Sequence, residues 1–431
     1  MSLFELLLEV RGFSFSSAVD EFARIRSLSP DDFIGWQKDR SIMIANYHLR
    51  NNEFYRSIAG ISEVRQWDDL PFLKKGDFQR PLTDLLSLPA RKRQHSLYVS
   101  STSGSSGHPF FFAKDKFSHG LTWASIAYWY ERAGLRLSSP QGRLYGVPKS
   151  FLDRSFEHLK DRVMDRIRLP VYDLSDGAFN KFLESIQARE IEFIYGYTSA
   201  IVLFAEFLKR KGIVCAEYVK SLRSVIVTSE TCGAYDKLII EQQMGVPVFI
   251  EYGASELGLL AFGNSLESLE CVDELFLFEQ LDGPDGLPEI VCTSLFNTAF
   301  PLIRYRLGDL VTLSKHKGRS VITSLQGRTN DVIRFPSGKI AAGFSFYYIS
   351  RSLLERYGVL MNEFRVRQTR LDHFVFDVVA KRHLSRSEEE IIAKTVCHYL
   401  GEEFSVEFRY VTEIPTTPSM KLRHFVSEIH D

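Results

Sequence analysis

The stretch VSSTSGSSGHPFFFAKD, residues 99 to 115, sets six hydroxyl side chains (Ser100, Ser101, Thr102, Ser103, Ser105 and Ser106) around Gly104 and Gly107, ahead of three phenylalanines. A turn of that composition between two strands offers backbone N–H groups and hydroxyls that can wrap an anion such as a polyphosphate. Two other glycine-loop chemistries fail on spacing. A G-x-x-x-x-G-K-[ST] loop needs its glycines further apart and a helix behind it, whereas His108-Pro109 leads into the strand-like Phe110-Phe111-Phe112. A hydrolase elbow needs G-x-S-x-G between strand and helix, and this loop reads Gly-Ser-Ser-Gly. Judged alone, a flexible surface connector is the plain alternative.

Other chemically capable residues follow at the ends of apolar runs. The segment TSET contributes Glu230, and EYGASE contributes Tyr252, Gly253, Ser255 and Glu256. In parallel α/β sheets ligands sit outside the carboxyl ends of strands, so these residues would share one cleft. A carboxylate there can hold Mg²⁺ beside phosphates; its competing use is to cap a helix. The run FPLIRYRLGDL places Asp309 at a loop, where a carboxylate can accept two ribose hydroxyls. GRTND offers Arg328, and IPTTPSMKLRHF offers Lys421, which in isolation reads as an ordinary solvated lysine.

The elements that would position these groups alternate. RLYGV (143 to 147), LPVYDL, IEFIYG, SVIVTSE and PVFIEYGASE read as strands. Between them, 155 to 167, GAFNKFLESIQARE, SAIVLFAEFLKRKG (closing on Gly212 after a basic turn) and GAYDKLIIEQQMG read as helices. Such alternation predicts βαβ units and a parallel sheet. After residue 270 the texture becomes β-rich: ELFLFEQL, EIVCTSL, DLVTLS and SVITSLQG are separated by DGPDGLP and KHKGR turns. A last α+β segment predicts the helix FSFYYISRSLLERYG, strands FRVRQTR and HFVFDVVAK, the helix SRSEEEIIAKTVCHYLG capped by Ser385 or Ser387, and the strand FSVEFRYV. The hydrophilic QGRTNDV ahead of it reads as a hinge.

Bulk properties exclude several classes. With 431 residues and 45% hydrophobic content the chain exceeds one ordinary domain and has ample material for a core. Lys and Arg total 53 against 54 Asp and Glu, so no overall field argues for nucleic acid or an anionic membrane. Five scattered cysteines form no C-x-x-C pair, which disfavours a disulfide framework and a zinc knot. The start MSLFELLLEVRGFSFSS lacks the basic region of a signal peptide, and no apolar run reaches membrane-spanning length. A cytoplasmic protein is expected.

As a set the motifs resemble the adenylate-forming superfamily of acyl-CoA synthetases, specifically its phenylacetate-CoA ligase branch, with CapK-like proteins of capsular polysaccharide loci the nearest in flavour. That family's S-S-G-T-T-G-K-P loop is matched by Thr102 through Pro109, its Y-G-x-[ST]-E by Tyr252-Gly253-Ala254-Ser255-Glu256, and its P-L-I-R-Y-R-T-G-D by Pro301 through Asp309 with Leu307 for Thr. Its hinge G-R-x-D-D is matched by Gly327 through Asp331, and its closing P-x-x-x-x-G-K by Pro415 to Lys421 with Met420 for Gly. NNEFYRSI and WDDLPFLKKGDFQRPL near the amino terminus also look like that branch.

The resemblance implies an α/β fold: a large adenylate-forming domain (1–327) with parallel αβ layers and a β-rich subdomain, a hinge (328–331), and a small mobile α+β domain (332–431). It implies activation of a carboxylic acid by ATP as acyl-AMP, then transfer to CoA or, alternatively, to an amine such as an amino sugar. A nucleotide-binding protein without turnover is the other class kept open. Thr102, Ser103, Gly104, Ser105, Ser106, Gly107 and His108 would hold phosphates, Glu256 Mg²⁺, Asp309 the ribose, Arg328 the ribose or phosphate edge, and Lys421 the charge developing at the α-phosphate. Glu230 with Tyr252, Gly253 and Ser255 would flank the nucleotide, and Tyr145, Tyr195, Gly196 and Tyr197 the acyl pocket. His108 replaces the usual loop lysine, the segment IRFPSGKIAAGFSF departs from the family's glycine-rich one, and no structural zinc is expected at Cys271.

Overall fold

In this computed structural model, residues 2–101, 110–145, 159–170, 174–282, 288–328, 332–337, 340–342, 361–380, 382–400, 402–414 and 425–429 are described. The sheet at its centre forms because short β-branched and aromatic runs bury both faces. β3 (Gln141–Tyr145), β4 (Arg166–Pro170), β5 (Phe193–Tyr197), β6 (Ser224–Thr228) and β7 (Val248–Ala254) lie parallel in the order β4-β3-β5-β6-β7. All five residues of β5, and all five of β6, are buried, as expected of strands covered on both faces. Helices Asp176–Ala188, Thr198–Lys211 and Ala234–Met244 make the crossovers. The second ends on Gly212 at φ 66° after Lys209, Arg210 and Lys211, which satisfies the left-handed C-terminal position and opposes the helix dipole.

The β-rich stretch is hydrogen-bonded onto the same sheet. β8 (Gly258–Gly263) pairs antiparallel with β7 and β9 (Leu269–Cys271) antiparallel with β8, and β13 (Arg319–Arg328), β12 (Tyr305–His316), β11 (Pro288–Ser294) and β10 (Phe276–Asp282) follow, giving eleven strands. β1 (Tyr98–Ser101) pairs antiparallel with β2 (Phe111–Lys114), so both expected strands are present; residues 102–109 between them lie outside the described residues.

One helix differs from expectation. The pattern from 155 to 167 stops short, because Asp165 takes φ 45° and the alternation Arg166, Ile167, Arg168, Leu169 is paired as β4 along β3. The strand read in LPVYDL therefore begins three residues earlier than expected.

Carboxyl-terminal residues build a second sheet, order β16-β15-β14-β17, from β14 (Met361–Arg370), β15 (His373–Ala380), β16 (Ser405–Tyr410) and β17 (Phe425–Ser427). Phe364, Val366, Phe374, Phe376, Ile392 and Val396 form a core of its own between that sheet and helix Arg386–Leu400. Ser385 is the cap: its Oγ accepts from Glu388 N at 3.4 Å and Glu388 Oε2 accepts from Ser385 N at 2.7 Å, a capping box. The helix expected in FSFYYISRSLLERYG lies outside the described residues.

Cys215, Cys232, Cys271, Cys292 and Cys397 are all unpaired, the first four buried. Among the described residues no helix is long and apolar enough to cross a membrane.

Two buried imidazoles make the fold acid-sensitive. His48 donates from Nε2 to the Asn297 carbonyl at 2.9 Å, and burial pushes its pKa down to about 4. His119, stacked 3.9 Å from the Tyr98 ring, is pushed down to about 3 by burial and then by the Lys114 charge. The unfolded chain takes up these protons near pH 6.5 while the folded chain refuses them, so stability falls as pH drops through the window from 6.5 to 4. At pH 5 the His48 contribution is a loss of about 2 kcal/mol. Urea unfolding of the wild type and His48→Gln at pH 7 and pH 5 should show a shallower acid loss for the variant; equal slopes would contradict the assignment.

Candidate active site

The turn from β7 into β8 is narrow because Gly253 allows it: a Cβ there would stand 2.6 Å from the Gly258 carbonyl oxygen. That turn presents Glu256 beside β12, and two phenolic hydroxyls tie the elements together. Tyr252 on β7 donates to Asp309 Oδ2 at 2.8 Å, and Tyr305 on β12 donates to Glu256 Oε1 at 2.9 Å. The bonds cross in direction, since each element supplies one phenol and one carboxylate. Tyr252, Gly253, Ser255, Glu256 and Asp309 thereby occupy one locality.

Asp309 is not at a loop, as its sequence context suggested, but inside β12. Gly308 at φ 79° and a register shift between Asp309 and Val311 bend the strand there, and such a bulge re-aims a side chain without breaking the sheet. Opposite Asp309 in the β12/β13 pair stands Arg328, so the two residues expected near the ribose share a register.

Sequence reasoning missed Lys114. It ends β2, immediately after the hydroxyl-rich loop, and is 5% exposed. Its Nζ donates to the Leu257 carbonyl at 2.6 Å and to Thr122 Oγ1 at 3.2 Å. Burial pushes its pKa down to about 8, against the opposing pull of Glu256 and Asp115. The lysine thus anchors the strand leaving the loop to the turn carrying Glu256. The available signal was one lysine closing a run of Phe110, Phe111, Phe112 and Ala113. Tyr305, inside the PLIRYRLGD run, was missed as well.

Glu230 has the capping use weighed against the functional one. Its Oε2 accepts from Ser199 N at 2.8 Å, and its carbonyl accepts from Thr198 Oγ1 at 3.1 Å. Both contacts lie at the start of helix Thr198–Lys211, whose own N-cap residue Tyr197 makes no side-chain cap bond. The tyrosines do converge. Tyr145 and Tyr197, at the carboxyl ends of β3 and β5, have ring centroids 4.4 Å apart, and Tyr145 and Tyr195 6.0 Å.

Gly196 answers to packing: a Cβ would fall 2.3 Å from the Leu144 carbonyl oxygen on β3. Gly196→Ala is expected to destabilise the fold by about 3 kcal/mol through a forced shift of strand backbone, measurable as a lower denaturation midpoint; an unchanged midpoint would contradict this. Thr102, Ser103, Gly104, Ser105, Ser106, Gly107, His108 and Lys421 lie outside the described residues.

A magnesium ion suits this donor set. Among the described residues Glu256 has no partners completing a cluster of three His, Cys, Asp or Glu side chains, and Mg²⁺ at nucleotide sites is commonly held by one or two carboxylates with the substrate phosphates.

No family model matches the chain. Among characterised proteins it is similar to CapK of Staphylococcus aureus, 22% identical over 431 aligned residues that cover 95% of this chain and 92% of that protein. It is also similar to a phenylacetate-coenzyme A ligase of Aromatoleum evansii, 23% identical over 344 residues, 72% of this chain and 73% of the relative. Among solved structures, 2-hydroxyisobutyryl-CoA ligase in the postadenylation state with 2-HIB-AMP shares the fold, with TM-score 0.68 and 17% identity across 93% of this chain and 90% of the other. Motifs, fold and near full-length likeness agree in what this chain is similar to: the adenylate-forming superfamily, on its phenylacetate-CoA ligase and CapK-related branch.

Proposed function

We propose that this protein joins a carboxylic acid to an acceptor thiol in two steps. A carboxylate oxygen attacks the α-phosphorus of ATP, the bond to the β,γ-diphosphate breaks, and pyrophosphate leaves with the electron pair. The CoA thiolate then attacks the acyl carbonyl and AMP departs. Phosphoryl chemistry of this kind asks a protein mainly for positioning and charge stabilisation.

The observation that carries the reading is the crossed pair of bonds, Tyr252 to Asp309 and Tyr305 to Glu256. It supports a ribose-gripping aspartate and a metal-holding glutamate on one rigid frame, to which Lys114 ties β2; residues 102–108, which precede β2 in the chain, would hold the phosphates. Mg²⁺, when bound at Glu256, would neutralise phosphate charge. Asp309 would accept the ribose hydroxyls, Arg328 would face the ribose or phosphate edge, and Tyr252, Gly253 and Ser255 would line the nucleotide. Glu230 would act through the helix it caps. Tyr145, Tyr195 and Tyr197 would line the acyl side. The unpaired cysteines fit a cytoplasmic location.

The test is a panel of carboxylic acids with ATP, read as pyrophosphate release with CoA, an amine or hydroxylamine as acceptor. Acid-dependent release with thioester formation supports the reading. Product only with the amine would favour the amide-forming alternative in surface polysaccharide synthesis, and ATP binding without release would favour a non-catalytic nucleotide binder.

Lys421, in the proposed mobile domain of residues 332–431 beyond a hinge at 328–331, would meet the developing α-phosphate charge only in the first step. Lys421→Ala is then expected to slow pyrophosphate exchange by about 100-fold while sparing acyl transfer from supplied acyl-AMP; equal loss in both steps would contradict the rotation.

A further inference from the structure

Behind the tyrosines at the mouth of β3 and β5 lies a charge arrangement that the adenylation chemistry does not use. Register places Arg143 beside Arg168 on β4 and Tyr195 on β5, and Arg166 beside Gln141, two residues nearer the amino end. Side chains at this two-residue spacing share one sheet face. The Arg143 guanidinium covers the rings of Tyr195 and Tyr145, 4.5 Å and 5.0 Å from their centroids. On the same face Glu251 accepts from Tyr195 at 2.8 Å and from Tyr130 and Thr228 at 3.3 Å.

The charges do not balance. Arg168 is matched by Asp161, which it grips with two bonds of 2.7 Å and 2.9 Å. Arg143 and Arg166 make no ion pair among the described residues, and each leaves a buried Nε without a hydrogen-bond partner. Among the described residues that bond on this face, three guanidinium groups meet two carboxylates, Asp161 and Glu251. Burial raises the Glu251 pKa, against the hydrogen bond from Tyr195 and the Arg143 charge. Arg166 is itself pushed down to about 9, by burial and then by Arg143, yet stays charged at neutral pH. Both side chains are half-buried, and each buried Nε is a donor whose unmade hydrogen bond is costly and which an anion would complete.

We propose that the acid activated by this protein carries a second anionic group, a carboxylate or phosphate, which is bound by Arg143 and Arg166 beside the Tyr145 and Tyr195 rings that Arg143 covers. This deepens the adenylation reading and rests on it for the position of the reacting carboxylate. Bidentate arginine recognition explains the use of guanidinium here, and the tyrosine rings would cover the body of the acid.

Matched acids test this: adipate against hexanoate, and 4-carboxyphenylacetate against 4-methylphenylacetate, each with ATP and hydroxylamine, read as pyrophosphate and hydroxamate. The wild type is expected to favour the diacids in kcat/KM by about 100-fold. Arg143→Met should remove that preference while leaving the monoacids within a few-fold, and Arg143→Lys should recover part of it. Adipate should raise the melting temperature of the wild type and not of Arg143→Met, and Arg166→Met should melt no lower than the wild type because it removes an uncompensated charge.

Monoacids turned over as well as diacids, with Arg143→Met indifferent, would overturn the anion site and leave adenylation standing. No pyrophosphate from any acid would sink adenylation instead, and the melting experiment would then decide the anion site alone: an adipate shift abolished by Arg143→Met upholds it, and no shift overturns it.

Discussion

Glu256→Gln is expected to lower acid-dependent pyrophosphate release by about 1000-fold, the scale of losing a fixed charge contact at a phosphoryl centre, with little change in unfolding midpoint. The carboxylate is 9% exposed, and Tyr305 donates to one of its oxygens. Glutamine keeps an oxygen for that phenol, so the β7 to β12 connection survives, but it removes the anionic ligand. The loss should be partly recovered at raised Mg²⁺, since the nucleotide phosphates retain their share of the coordination. Steady-state rates against Mg²⁺ concentration read this directly. Release within tenfold of the wild type would remove Glu256 from the chemistry.

Arg304→Met is expected to cost about 3 to 5 kcal/mol of stability, the usual penalty for stranding a buried charge. Arg304 is 6% exposed and takes φ 45°. It pairs with Glu279 at 3.0 Å, donates to the Leu70 carbonyl at 3.0 Å, and lies 4.0 Å above the Phe72 ring. Its carbonyl accepts from Leu73 N at 3.1 Å, so one residue sews the segment around Trp67 to the start of β12, three residues after the start of the PLIRYRLGD run. Without the cation, Glu279, whose pKa burial already raises and whose Oε2 has no partner, would be left buried and uncompensated. Denaturant unfolding should show the loss and Arg304→Lys a smaller one; a variant as stable as the wild type would contradict the account.

The parallel core was legible because its signal is local: Val225, Ile226 and Val227 form a buried strand in any register, and Gly212 stops a helix wherever it follows one. The boundary at Arg166 was not, because a helix of alternating charge and a two-faced strand share composition, and only pairing with Gln141 selects the strand. At the site, the spacing within EYGASE and the PLIRYRLGD run gave Glu256 and Asp309. What sequence could not give was Tyr305 and the pair of tyrosine-to-carboxylate bonds, which form only once folding brings β12 beside the β7 turn. Lys114 and Arg143 were hidden for the same reason, since a charge in a strand shows its burial only once a helix or a turn has covered it. Gly196 and Glu230 read as ligand-facing from position, and the fold adds a structural use for each, close packing on the Leu144 carbonyl and a bond to the start of helix Thr198–Lys211.

The account's central claim is a single nucleotide gripped between the β7 turn and the bulge of β12. Acid-dependent exchange of labelled pyrophosphate into ATP, in the wild type and in Asp309→Asn, tests it most directly. The prediction is exchange in the wild type, with the apparent KM for ATP raised about 100-fold in the variant by loss of the ribose contact. Exchange with an unchanged KM for ATP in Asp309→Asn would contradict it.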